Sequence, residues 1–316
     1  PAPEPNDLGE EASGRLSATL GGMDLGDPVQ LERTLRQMDT WPFVGRVARA
    51  ASESAIVDLR AAALGVSVAA SLADAPAGDV AVNGLIGDSD PSEAAAIAAR
   101  QVAQGISTLK LKAGPEAPGR VGERVRAVRE AVGPDVRLRV DFNGSLDRRT
   151  VLPALEEIEQ SGIEYAEQPI PPSAGPLALA EVRAASSVPV AADEAVRDLG
   201  SARALIEAGA VDALVLKPSR VGGLRQARSL VELATAAGVP VTVSTMFDSG
   251  VGIAGALHLA ATAPGPQAHG LATARLLASD LLERSLNIAG GRMALPEGPG
   301  LGVTLDESAV ERYRVS

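Results

Sequence analysis

From Val80 onward the chain alternates short apolar runs with longer stretches in which apolar residues recur every three to four positions. The short runs fall at residues 80–86, 107–112, 137–142, 164–168, 188–193, 212–217, 240–246 and, more weakly, 268–272. Between them the helical period is plain. Val121, Val125, Val128 and Val132 recur at i, i+4, i+7 and i+11, with Arg and Glu in the intervening positions. Eight strands alternating with helices predict an α/β fold with a parallel sheet, and closure into a barrel is the economical solution. A doubly wound open sheet is the competing architecture. It needs a glycine-rich phosphate turn after the first strand, which Gly84-Leu85-Ile86-Gly87-Asp88 does not supply.

The chain on either side of this rhythm reads differently. Residues 1–78 are helical and Ala-rich in pattern, with a capped helix start at Asp27-Pro28 and a largely buried helix from Ala50 to Leu64. The stretch Asp74-Ala75-Pro76-Ala77-Gly78 punctuates the boundary. The barrel is expected over residues 79–289. Residues 290–316 turn Pro/Gly-rich, end in a helical stretch from Glu307 to Tyr313, and are expected to pack back on the N-terminal helices. The opening Pro1-Ala2-Pro3-Glu4-Pro5 carries no initiator methionine and reads as the interior of a longer protein.

Composition narrows the partners. Hydrophobic residues make up 46% of the chain but aromatics only 2%, so Ala, Val and Leu must fill the core. A net charge of −11 argues against nucleic acid and anionic membrane, both of which need a basic footprint. No apolar run approaches the roughly 20 residues that span a bilayer. With no cysteine, disulfides, thiolate catalysis and zinc–thiolate sites are excluded. A cytoplasmic setting is the expectation.

The candidate chemistry lies at the strand ends. Asp141, Glu167 and Asp193 each close an apolar run, at equal spacings of 26 residues. In a parallel barrel such positions converge at the carboxyl-terminal mouth, where active sites are built. Three convergent carboxylates call for a cation, and hard oxygen ligands favour Mg²⁺. Lys110 and Lys112 lie on one side of the second strand, because strand side chains alternate. Mutual repulsion and burial should lower their proton affinity and suit them to act as bases. Lys217 ends the sixth strand, facing them from the opposite wall. This arrangement suits proton abstraction next to a carboxylate.

Taken together, Lys110-x-Lys112, Asp141-x-Asn143-Gly144, Glu167-Gln168-Pro169, Asp193-Glu194 and Lys217 resemble the enolase superfamily, muconate-lactonizing subgroup. The resemblance runs from about residue 45 to the end. It implies a modified (β/α)7β TIM-type barrel with an α+β capping domain, here N-terminally incomplete. It implies Mg²⁺, with Mn²⁺ as a substitute, on Asp141, Glu167 and Asp193, and acid–base roles for Lys112 and Lys217. Lys110 would assist Lys112 and the substrate carboxylate, with Asn143 and Glu194 supporting. The stretch from Val243 to Ile253, which includes Ser244 and Asp248, and His269-Gly270-Leu271-Ala272-Thr273 look most like the o-succinylbenzoate synthases. Those enzymes dehydrate a succinyl-hydroxycyclohexadiene carboxylate in menaquinone synthesis. Lys112 would take the α-proton and return it to the departing hydroxyl, while Lys217 stays cationic.

An N-acylamino acid racemase or dipeptide epimerase would use the same residues, and muconate cycloisomerase is a further alternative. Only Ser279-Asp280 stands where the epimerases usually carry Asp-x-Asp. A barrel kept for binding alone has no reason to retain both lysine walls. The expected partner is a small-molecule carboxylate, with a homo-oligomer allowed. Other residues have plainer readings: Gly222-Gly223 caps a helix, and His258 packs in an Ala-rich helix. His269 either closes the pocket floor or meets a backbone carbonyl. Trp41 and Phe43 belong to core, and Arg120, Arg124, Arg126 and Arg129 to a solvated helix face.

Overall fold

The computed structural model describes residues 26–38, 46–87, 89–114 and 116–314, with a few single positions before residue 26. Trp41 and Phe43 lie outside the described residues. The strands are β1 (Asp79–Ala81), β2 (Gly84–Ile86), β3 (Thr108–Lys112), β4 (Arg137–Asp141), β5 (Ile163–Glu167), β6 (Val190–Ala192), β7 (Ala213–Leu216), β8 (Val241–Val243), β9 (Ile288–Ala289) and β10 (Arg292–Ala294). From β2 to β8 they lie side by side in chain order, each parallel to the next. The sheet curls, and residues 268–270 link its two edges. Gly270 N donates to Val243 O at 2.8 Å, and Asn83 N, next to β2, donates to His269 O at 2.9 Å. The chain therefore has the α/β barrel architecture, and the open doubly wound sheet is excluded.

Two expectations shift in detail. The single strand over residues 80–86 divides at Val82-Asn83. Its first part, β1, leaves the barrel and pairs antiparallel with β10, which pairs in turn with β9. The eighth run makes single bridges, Val82 with His269 and Ser244 with Gly270, and not a full strand. That run holds His269 and Gly270 and no β-branched residue, too little to sustain a longer ladder.

The helices between strands follow the pattern that predicts them. Pro118–Val132 begins at a proline, whose missing N–H costs nothing there, and buries Val121, Val125 and Val128. Leu224–Ala236 buries Leu224, Ala227, Leu230, Val231 and Ala234 on one stripe. The arginine face of the former is only partly solvated, a correction to the reading from spacing. Arg124 is buried, and its guanidinium reaches Glu116 Oε1 at 2.6 Å, Gly87 O at 2.8 Å and Lys112 O at 2.9 Å. A long stem lets a helix-surface residue tie the connections after β2 and β3 together at the barrel rim.

Ahead of the barrel, helix Pro28–Met38 packs Leu31, Leu35 and Met38 against Arg46–Ala63. Asp27 caps the first by accepting from Val29 N at 2.8 Å. The C-terminal stretch returns to this region: Leu301 N donates to Asp58 Oδ1 at 2.7 Å, and Val68 N to Gly300 O at 2.8 Å. His258 sits fully buried between them. Its Nδ1 accepts from Ala69 N at 3.2 Å, so its Nε2 carries the proton donated to Leu301 O at 3.1 Å. Among the described residues no helix is long and apolar enough to cross a membrane.

Candidate active site

Parallel register brings the candidate residues to one level. Lys112 pairs with Asp141, and Asp141 with Glu167, while Glu167 stands opposite Ala191, two residues before Asp193. The offset at the last step is the stagger of a tilted barrel. One layer deeper, Lys110, Arg139 and Tyr165 are register partners. Small residues at Ala191 and Ala213 leave interior room for the Tyr165 ring, over which the Arg139 guanidinium stacks at 4.7 Å.

The carboxylates and lysines alternate as a charge lattice. Lys110 Nζ lies 2.9 Å from Glu167 Oε1 and 3.0 Å from Asp141 Oδ2. Lys112 Nζ lies 2.6 Å from the same Asp141 oxygen and donates to Asn143 Oδ1 at 2.9 Å. Lys217 Nζ donates to Asp193 Oδ2. Asn143 in turn donates from Nδ2 to Glu194 Oε1 at 3.0 Å. Gln168, whose role spacing did not reveal, accepts at Oε1 from Asp193 N at 3.1 Å and Ala195 N at 3.0 Å. Asn143 and Gln168 hold left-handed backbone, with φ of 47° and 39°. For side-chain-bearing residues that costs about 1 kcal/mol each, a strain characteristic of functional sites.

The electrostatics overturn one expectation. Burial works to lower the Lys110 ammonium, but Glu167, Asp141 and Asp193 outweigh it and hold the group well above the ordinary lysine value. Lys217 moves the same way, because Asp193 overcomes both burial and the charge of Lys110. Each ammonium faces carboxylates before it faces another ammonium, so repulsion within the pair is not decisive. Burial opposes charge on Asp141 too, yet Lys110 and Lys112 hold it well below the usual carboxylate range. Glu167 is pushed up by burial and by the charge of Asp141.

A cavity of about 620 Å³ opens above these groups, lined by Lys110, Lys112 and Lys217 together with Asn143, Glu194 and Ser244. Asp248 is not among the lining residues. Its Oδ2 accepts from Met246 N at 2.9 Å, so it shapes the loop and does not face the pocket. Asp280 accepts from Gly250 N at 2.6 Å and serves as a helix cap. His269 takes neither expected role, since its Nδ1 accepts from Val243 N at 3.0 Å. Arg220 lines the cavity and was not singled out from spacing.

The donor set suits a hard divalent cation. Asp141, Glu167 and Asp193 offer carboxylate oxygens only, and Glu167 Oε2 is buried without a partner, an acceptor awaiting a positive charge. As they stand, Lys110 supplies positive charge to Asp141 and to the other oxygen of Glu167, and Lys217 supplies it to Asp193. No three acidic or histidine side chains among the described residues gather closely enough to hold an ion.

A parallel barrel with carboxylates and lysines at the carboxyl ends of its strands is an acid–base enzyme scaffold. The chain belongs to the enolase C-terminal domain-like family, whose match spans residues 93–309. It is 39% identical over 210 residues to the o-succinylbenzoate synthase of Thermobifida fusca, covering 66% of this chain and 63% of that one. It is 34% identical over 295 residues to the N-succinylamino acid racemase of Thermus thermophilus, covering 92% and 76%. A muconate lactonizing enzyme of known structure from Klebsiella pneumoniae matches with a TM-score of 0.89 at 28% identity, covering 98% and 85%.

Proposed function

We propose that the chain is a Mg²⁺-dependent o-succinylbenzoate synthase, dehydrating 2-succinyl-6-hydroxy-2,4-cyclohexadiene-1-carboxylate. The carrying observation is that Lys112 and Lys217 line one cavity from β3 and from the end of β7, with Asp141 and Asp193 beneath them. The identity of 39% over 210 residues to a synthase supports the dehydration reading.

Lys112, with its side chain 37% exposed to the cavity, takes the proton α to the carboxylate. It then returns that proton to the departing hydroxyl, which leaves as water, and the ring becomes aromatic. Asn143 Oδ1 orients the ammonium between the two transfers. Lys217, paired with Asp193, stays cationic and stabilises charge developing on the substrate. Lys110 adds a fixed positive charge below the carboxylate. Mg²⁺ or Mn²⁺ on Asp141, Glu167 and Asp193 would supply the charge that a simple carboxylate needs before its α-proton becomes acidic enough. The partner is thus a small anionic molecule, which a cavity lined by Lys110, Lys112, Lys217 and Arg220 suits.

A racemase of N-succinylamino acids is the second reading, favoured by the presence of a lysine on each side of the cavity. Parallel assays with Mg²⁺ separate the two, one following aromatic product from the cyclohexadiene carboxylate and one following loss of optical rotation in an N-succinylamino acid. Dehydration faster than racemisation is the expected result. Racemisation alone would keep the residues and replace the substrate.

A further inference from the structure

The loop that carries Lys217 is locked from outside the barrel. Lys217 O accepts from Arg220 N at 2.8 Å and Val221 N at 3.1 Å, and Pro218 O accepts from Gly223 N at 3.0 Å. These bonds wind the chain into a tight turn ending at Gly222 and Gly223, whose φ values are 98° and 127°. Two successive residues in that region form a joint with little intrinsic preference. Beyond it, helix Leu224–Ala236 presents unsatisfied N–H groups and the positive end of its dipole.

Glu53, on helix Arg46–Ala63, fills that terminus. Leu224 N donates to Glu53 Oε2 at 2.6 Å and Arg225 N to Glu53 Oε1 at 2.9 Å. One turn earlier on the same helix, Arg49 Nε donates to Gly222 O at 3.3 Å. The two side chains thus grip the glycine pair by its carbonyl and by the amides that follow. Glu53 is buried, 4% exposed, and its carboxyl group occupies the space a Cβ on Gly223 would need. The glycine at this turn therefore makes room for a carboxyl group that the chain itself supplies.

We infer that Glu53 is a positioning residue for Lys217, bracing the turn after β7 so that the lysine keeps its place on its side of the cavity. The inference rests on the proposed role of Lys217. It makes the helical segment before the barrel part of the catalytic apparatus on one side only, because Lys112 on β3 is anchored instead by Asp141 and Asn143.

Two measurements on the intact chain test this. The first is site-resolved acylation of lysines by a small reagent, read by mass spectrometry, which needs no turnover. In Glu53→Ala, Lys217 should label roughly tenfold faster while Lys112 is unchanged, since a small displacement of a positioned group has large consequences. The second is α-proton exchange into D₂O for each enantiomer of an N-succinylamino acid. Exchange of the enantiomer that presents its proton to Lys217 should fall about tenfold or more, with the other changing less than about threefold. Equal loss for both enantiomers, or unchanged Lys217 labelling, overturns the inference. If Glu53→Ala does not fold, Glu53→Gln, which keeps one acceptor, should show the same one-sided pattern at reduced size. Absence of exchange in the wild type would count against racemase activity, and the labelling ratio would still decide the role of Glu53.

Discussion

Lys112 Nζ stands 2.6 Å from Asp141 Oδ2, and this contact ties the proposed base to a proposed metal ligand. One oxygen cannot neutralise an ammonium and a divalent cation equally well. Adding Mg²⁺ should therefore loosen Lys112, and its acylation should quicken about fivefold, with a midpoint equal to the Mg²⁺ concentration that raises Tm. Unchanged labelling at saturating Mg²⁺ would show that Asp141 does not hold the ion.

Lys217 pairs with Asp193 and is expected to act by charge during dehydration. Lys217→Arg keeps the charge but removes a group able to transfer protons. Dehydration should fall by no more than about tenfold while racemisation falls by about a thousandfold. Equal losses, measured as kcat in the two assays, would contradict an electrostatic role.

Both histidines predict acid instability. Burial, then the charge of Arg139, pushes His269 down to about 3, and burial lowers His258 in the same sense. The unfolded chain takes up these protons near the ordinary value of about 6.5, whereas the folded chain refuses them. Their contribution is thus intact above that value and is lost as pH falls from about 6.5 towards 3. Between about pH 7.5 and 4.5, His269 alone should account for about 2–3 kcal/mol. Urea unfolding across that range should show a shallower slope in His269→Asn. An equal slope would remove the histidine from the account.

Arg139 is fully buried, with Glu164, Asn83 and the Ala268 carbonyl as partners. It joins β4 to the segment that closes the ring. Arg139→Met should cost about 1–3 kcal/mol, because the buried Ala268 carbonyl loses its donor, while the part-exposed Glu164 keeps Arg137 nearby. A change below about 1 kcal/mol in urea unfolding would show that the ring closes without it.

The acidic ladder was legible because strand ends recur at constant spacing when each strand–helix unit is the same length. Asp141, Glu167 and Asp193 need no knowledge of tertiary contacts to be found, and neither does the two-residue period that puts Lys110 beside Lys112. Glu53, Arg124, Arg139 and Gln168 were not legible as partners of the site. Each acts on an element other than its own, and Glu53 does so across 171 residues of chain. The split of β1 from β2 escaped for a similar reason, since it depends on β10 arriving from the far end of the chain.

The central claim is that Lys112 removes the α-proton. The most direct measurement is the rate of aromatic product formation from the cyclohexadiene carboxylate by wild type and Lys112→Ala, with thermal melting of both. A loss of about a thousandfold or more with an unchanged Tm is the predicted result, because the side chain faces the cavity and leaves the core intact. Retained dehydration in Lys112→Ala would contradict it and move the base elsewhere in the site.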